Sequence, residues 1–205
     1  MYLPKVYKSE DFEVLKEIIT DNAFASLLVH QGKILATKSM MLVNEDTPDN
    51  FYIETHLHRA NPVAKCIVQS DQEVLCDFTG ASSYISSSWY DHVNVSTWNY
   101  EAVQVYGKVE IMNDEELYQH LVKMTHKFES TQKCPVLADT IGEASIRDEM
   151  RGAIGMKIIP TEVKIKQKLS QNRDEKNLKK IIETLEKSES SSDNTMAERM
   201  KKYHL

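Results

Sequence analysis

The sequence predicts an α+β fold built on a barrel-like antiparallel sheet with helices inserted at its ends. Three observations carry this: five or six β-type runs follow one another in hairpin or meander order, helical periodicity is confined to a few separate segments, and no regular βαβ alternation is present. The 205 residues suffice for one main core. With 41% hydrophobic and 27% charged residues, and only 6 Gly and 5 Pro, the chain reads as a folded protein rather than a low-complexity one.

The elements follow in order. Ser9 caps a helix whose Phe12, Leu15, Ile18 and Ile19 share one stripe, with Glu10 and Asp11 in its first turn. "FASLLVH" (24–30) and "KILATKSMMLV" (33–43) form a hairpin through Gln31-Gly32, where glycine supplies the backbone a tight turn needs. "NEDTPDN" (44–50) reads as a loop and "FYIETHL" (51–57) as a strand. Asn61 followed by Pro62 starts a helix through Gln69, because Asn caps free N–H groups and Pro fits the first helical position.

"EVLCDFTG" (73–80) and "NYEAVQVYGKVEIM" (99–112) are strands. The latter places Val103, Val105, Val109 and Ile111 on one face and carries a bulge or bend at Gly107. Asn113 and Glu116 form a capping signal for a helix with Leu117, Leu121, Met124 and Phe128 inward, ending near Ser130. A shorter helix around "EASIRDEMRGA" leads into the strand "IGMKIIPTEVKIKQKL" (154–169), and "DEKNLKKIIETLEKS" is helical. The main domain is expected over 1–187. "SESSSDN" (188–194) reads as a polar linker, followed by a short helix capped by Thr195 and Glu198, so the fold is expected to survive loss of 188–205.

Composition narrows function. Twenty-five basic residues against 31 acidic give a net charge of −6, so contact with a phosphate backbone would need a segregated basic face. Lys164, Lys166 and Lys168 share one strand face and are the candidate for such DNA contact, against the alternative of a solvated stripe. No apolar run approaches the ~20 residues of a membrane span, and the first residues lack a secretory signal's apolar centre. A cytoplasmic protein without membrane contact is expected. Cys66, Cys76 and Cys134 are an odd set without C-x-x-C spacing, read as buried free thiols.

Two segments concentrate polar or aromatic chemistry. In "ETHLHRANPVAK" (54–65), His56 and His58 project to one face, and Arg59 stands two residues before a helix cap. Three readings stay open: a His-x-His metal site, an anion site made by Arg59 and the helix start, or hydrogen-bonded sheet histidines beside a solvated arginine. "GASSYISSSWYDHVNVSTWNY" (80–100) holds both tryptophans. It suits a flat conjugated ligand or a partner surface, or is a loop folded over the core edge. No G-x-S-x-G accompanies its serines.

"HLHRANP" at 56–62, "YISSSWY" at 84–90, "STWNYEAVQVYGKV" at 96–109 and "KLSQNR" at 168–173 together resemble the successive motifs of the PaiB-type family of FMN-binding negative transcriptional regulators. The likeness runs from "MYLPKVY" to about residue 186. It implies the FMN-binding split β-barrel fold with peripheral helices, a homodimer, and cofactor sites at the subunit interface. On this analogy the flavin phosphate is held by Thr37 and Lys38, then Thr55, His56, His58 and Arg59. Trp98, Asn99, Lys168 and Gln171 would approach the ring or the other subunit. The chain departs from the family pattern with "KSMM" (38–41), Ser87, Ser96 and Gln104. No catalytic residue is named, because flavin itself does the redox chemistry. An FMN-dependent oxidoreductase, flavin reductase-like or pyridoxamine phosphate oxidase-like, is the alternative function. A haem-handling barrel using His56, His58 or His92 is a further one.

Overall fold

The computed structural model describes residues 1–47 and 50–204. A 3-10 turn at Lys5–Tyr7 and the short strand β1 (Lys8–Ser9) precede α1 (Phe12–Asp21). The helix cap is Asp11, whose side chain accepts from the Glu13 N–H at 2.8 Å. Ser9, expected in that role, is extended because it pairs with Ile165.

The hairpin forms as expected, with β2 (Phe24–His30) against β3 (Ile34–Thr47). β3 overruns the expected loop, since Asn44 continues the ladder with β4 (Asn50–His58). Pro48 and Asp49 of that loop lie outside the described residues. Then come α2 (Pro62–Gln69), β5 (Val74–Ile85), β6 (Thr97–Ile111), α3 (Asp114–Glu129), α4 (Ala138–Ile141), α5 (Glu143–Met150), β7 (Ala153–Lys168), α6 (Glu175–Glu186) and α7 (Ser191–His204). β5 runs five residues past its expected end, so the first six residues of the aromatic segment are strand. The strands are antiparallel in the order β1-β7-β4-β3-β2-β5-β6, and a β7–β6 pairing closes the sheet.

The described chain forms two compact units. The first holds Met1–Asn22, Phe78–Gln104 and the residues from Lys164 onward; the second holds Ala23–Asp77 and Val105–Val163. β5, β6 and β7 each run from one into the other.

In the second unit, period-2 alternation sorts the β2–β3 hairpin cleanly. Ala25, Leu27 and Val29 are buried. On the opposite face stand the cross-strand pairs Phe24–Met40, Ser26–Lys38 and His30–Ile34, with Phe24 67% and Ile34 71% exposed. Gly107 is required by contact: a Cβ there would lie 2.5 Å from the Ile159 carbonyl oxygen, so β6 meets β7 only without a side chain. Ile111, expected inward, is exposed because the strand has passed the core. Helix α3 carries the anticipated capping box at Asn113 and Glu116. It packs Leu117 with Met112, Ala138, Ile146 and Met150. Cys66 and Cys76 are buried, whereas Cys134 is exposed, against expectation.

In the first unit, Ile85, Tyr90, Leu169, Ile181, Leu185, Met196 and Met200 form one apolar cluster. The expected polar linker therefore ends at Ser191, four residues before Thr195. Met196, Ala197 and Met200 are fully buried, and that apolar stripe docks α7 on its own unit.

Candidate functional site

The end of β4 is pinned by short-range bonds. The Asn61 amide oxygen accepts from the Val63 N–H at 2.9 Å, and its amide nitrogen donates to the Thr37 hydroxyl at 3.1 Å. The His58 ring accepts from the Ala60 N–H at 3.0 Å. The Arg59 N–H donates to the Gly152 carbonyl at 2.8 Å. Asn61 thus occupies a donor at the start of α2, and the expected use of that helix start by an anion is narrowed.

Arg59 reaches instead toward the α5–β7 turn. Its Nε donates to the Arg151 carbonyl at 3.1 Å, and the side chain lines a cavity of about 340 Å³ with Asp114, Arg147, Met150 and Arg151. Arg147 donates from Nε to Glu143 at 2.6 Å and from Nη2 to Glu115 at 2.8 Å, with its guanidinium 4.3 Å from the Tyr118 ring centroid. Those two carboxylates raise the Arg147 pKa further. Arg151 is paired with Asp148 at 3.2 Å on an exposed side chain.

Beneath α3 lies a buried polar chain that the sequence reading did not find. His56 Nδ1 is 3.1 Å from His120 Nε2, and His120 Nδ1 is 3.3 Å from a Glu54 carboxylate oxygen. His120 is fully buried and Glu54 is 3% exposed. Burial, and then the charge of His120, push the His56 pKa down from 6.5 to about 4. Burial pushes Glu54 up, but the His120 bond and the Lys123 charge more than offset it, and its pKa is lowered. His120 falls at i+3 from Leu117 on the apolar stripe of α3, which was the legible signal.

The expected site residues fall in both units. Thr37, Lys38, His58 and Arg59 cluster around the β3 and β4 ends of the second unit, with Lys38 and Arg59 exposed. Thr55 is fully buried, donating to the Met40 carbonyl at 2.7 Å and bonded to Ser39, so its hydroxyl is spent inside the sheet. His56 is committed to His120 in the same way. In the first unit Trp98 is 52% exposed beside Tyr84, their rings 6.1 Å apart. Asn99 is fully buried, donating to Ser170 at 2.9 Å. Gln171 accepts from the Leu169 N–H at 2.7 Å and so builds its own turn. Both residues hold these bonds within their own unit, and the Asn99 amide oxygen is buried without a partner among the described residues. Lys168 is bonded to Thr97, and burial, then Lys166 and Arg173, lower its pKa. Lys166 is 6% exposed, donates to the Tyr2 carbonyl at 3.0 Å and lies 4.8 Å from the Tyr100 ring centroid. Two of the three lysines of the expected basic stripe are thus engaged within their own unit.

A closed antiparallel sheet with helices inserted between its strands defines a split β-barrel of the α+β class. Solved structures share that fold. The FAD and heme binding protein from Mycobacterium smegmatis is 15% identical with a TM-score of 0.62, covering 84% of this chain and 78% of that one. The flavocytochrome Anf3 from Azotobacter vinelandii is 16% identical with a TM-score of 0.57, covering 83% and 74%. The chain belongs to the family described as "Putative FMN-binding domain", whose model matches residues 1–162. It is also 36% identical over 201 residues to "Protease synthase and sporulation protein PAI 2" of Bacillus subtilis (strain 168), covering 98% of this chain and 96% of the relative. The PaiB-type resemblance is thereby established. No helix among the described residues is long and apolar enough to cross a membrane.

Proposed function

We propose that this is an FMN-binding split-barrel protein working as a cytoplasmic homodimer, with the negative regulatory role that PaiB-type membership implies. The observation that carries the flavin assignment is Arg59. In a chain of an FMN-binding family, it stands exposed at the end of β4, and among the described residues only its Nε is taken, by a carbonyl, so its terminal amino groups are left for a phosphate. Exposed Lys38 and His58 add donors of the right chemistry for a phosphate dianion, so the residues present fit the group. The dimer reading is supported by Phe24, Met40 and Ile34, an exposed apolar sheet face around Lys38. Flavin supplies any electron transfer; the chain's residues bind and orient it. Direct DNA contact through Lys164–Lys168 is not part of the proposal, because those side chains are engaged, so repression is indirect or uses another surface.

The test is a titration of FMN into the purified protein and into Arg59→Ala. Loss of a charge-assisted bond worth roughly 1.5–3 kcal/mol should weaken binding about 10- to 150-fold. An unchanged Kd removes Arg59 from the site. A bound flavin bleached by NAD(P)H would move the protein to the oxidoreductases, and a Soret band to the haem proteins. Phe24→Glu should convert the dimer to monomer in sedimentation; an intact dimer moves the interface elsewhere.

A further inference from the structure

We propose that Glu54, His120 and His56 form a one-proton relay that opens on the outer face of the β3–β4 ladder, where His56 Nε2 exchanges a proton with a ligand carrying an ionisable N–H or O–H, such as an imide or a phenol. The proposal goes beyond the flavin reading, since it uses neither Arg59 nor a phosphate. All its residues belong to the second unit.

The first argument is where the chain of bonds begins and ends. Met41 and Thr55 are opposed in the ladder and point inward, so Leu42 with Glu54, and Met40 with His56, face the other way. On that outer face Leu42 and Glu54 are buried, with His120 of α3 against Glu54, whereas Lys38, Met40 and His58 are exposed. His56 stands at the border between the two. Its Nδ1 meets His120 on the buried side. Its Nε2 has no hydrogen-bond partner among the described residues and yet is not buried. The surface beside it is apolar, with Met40 paired to Phe24. A buried carboxylate is thereby connected, through two rings, to one open nitrogen.

The second argument is which atoms can hold hydrogen. The lowered pKa of Glu54 keeps it ionised at neutral pH, and an ionised carboxylate only accepts, so His120 Nδ1 carries a hydrogen. His120 Nε2 and His56 Nδ1 then share a single hydrogen between them. When it sits on His56, the His56 Nε2 is bare and accepts. When it sits on His120, that ring is a cation against Glu54, and His56 carries its hydrogen on Nε2. The two states differ by one proton: the ligand's proton bonds to Nε2 as the Nδ1 hydrogen leaves for His120, and the ligand's anion stays on the face that Lys38 shares. His56 is neutral in both states, in line with the burial and the His120 charge that hold its own pKa at about 4. A carboxylate that orients one imidazole and stabilises its cation serves proton transfer in the same way elsewhere.

The surrounding charges tune this pair without replacing Glu54. Lys123 of α3 lies 3.5 Å from the second Glu54 oxygen and donates to Asn44 of β3 at 3.1 Å. Lys157 of β7, opposite Glu54 in the ladder, is bonded to Glu116 of α3 at 2.6 Å and lies 5.5 Å from the Tyr52 ring centroid. The His58 ring is occupied at Nδ1 by the Ala60 N–H.

The test is NMR of the full chain labelled with 15N-histidine, followed from about pH 9 to about pH 5. A single step should turn His120 into a cation and move the His56 hydrogen from Nδ1 to Nε2 while His56 stays neutral. Glu54→Gln keeps an acceptor for His120 but removes its charge, so the step should fall by a pH unit or more, about tenfold in proton affinity. Lys123→Met should move it the other way. His120→Gln can accept from His56 Nδ1 but pass nothing on, and should fix His56 in one tautomer. Diethyl pyrocarbonate, which acylates an accessible uncharged ring nitrogen, should modify His56 at neutral pH and spare His120 in peptide mass mapping. Thermal melts confirm that each variant is folded, and the wild-type titration decides alone for any that is not. A His56 that keeps one tautomer across the range, becomes cationic before His120 or resists acylation overturns the proposal, as does an unmoved step in folded Glu54→Gln. FMN titration into the same proteins keeps the two readings apart, because the relay stands or falls on the histidine signals.

Discussion

Arg199 on α7 offers the sharpest test of how the C-terminal helix is held. Its Nε donates to Glu101 at 2.6 Å and one Nη donates to the same carboxylate at 3.2 Å, while its other Nη meets Glu17. The Glu101 side chain is 1% exposed and that of Arg199 12% exposed. Replacing Arg199 by alanine leaves Glu17 with Lys202, at 2.7 Å, but leaves Glu101, among the described residues, with only the Gln167 amide, at 2.9 Å. Breaking a buried pair from one side costs about 3–5 kcal/mol. The surviving amide bond offsets about 1 kcal/mol, giving a net loss of about 2–4 kcal/mol. For a chain of this length that corresponds to a fall in Tm of about 5–15 °C. Urea unfolding and calorimetry of Arg199→Ala, Glu101→Gln and Arg199→Met with Glu101→Gln form the assay. The double variant should recover most of the loss, because no charge is then buried alone. A single-variant loss below about 1 kcal/mol, or a double variant no better than Arg199→Ala, would refute the reasoning.

Two further outcomes follow from the second unit. His56 is held at about 4 in the folded state against 6.5 when free, so folding favours its neutral form. Its contribution to stability is complete above about pH 6.5 and declines as the pH falls from there toward 4. Melts across that window should show Tm dropping on acidification, and His56→Gln should flatten the slope; an equally steep slope in the variant places the titration elsewhere. Gly107→Ala should unfold the chain at moderate temperature or cost several kcal/mol, because the new Cβ would stand 2.5 Å from a backbone oxygen that cannot step aside. Near-wild-type unfolding of Gly107→Ala would show that β6 and β7 are not held at that spacing.

What the sequence discloses is mostly local. The Asn113–Glu116 box, the Gln31-Gly32 hairpin and the Asn61-Pro62 helix start each depend on bonds within a few residues, and all three form. The errors arise where a long-range partner overrides local composition. Ser9 is polar and near a helix, yet pairing with β7 extends it. Ser191–Asn194 would be solvated in isolation, but Met196 and Met200 pull the helix onto an apolar surface and its first turn follows. Asn99 and Gln171 also take partners that no local pattern shows, Asn99 donating to Ser170 and Gln171 accepting from the Leu169 N–H.

The same distinction separates Arg59 from the rest of the polar set. Thr55, His56 and Asn99 find protein partners, and once a hydrogen bond is closed inside a sheet, reopening it for a ligand costs the desolvated group its partner. Arg59 has the opposite arrangement: its backbone and Nε fix its place, and its remaining donors face a cavity. A side chain that is oriented by the protein and still unsatisfied at its tip binds a ligand without first losing anything. The Arg151 and Gly152 carbonyls that hold Arg59 arrive some ninety residues later, which is why the spacing of "HLHRANP" could indicate an anion but not how the arginine is held.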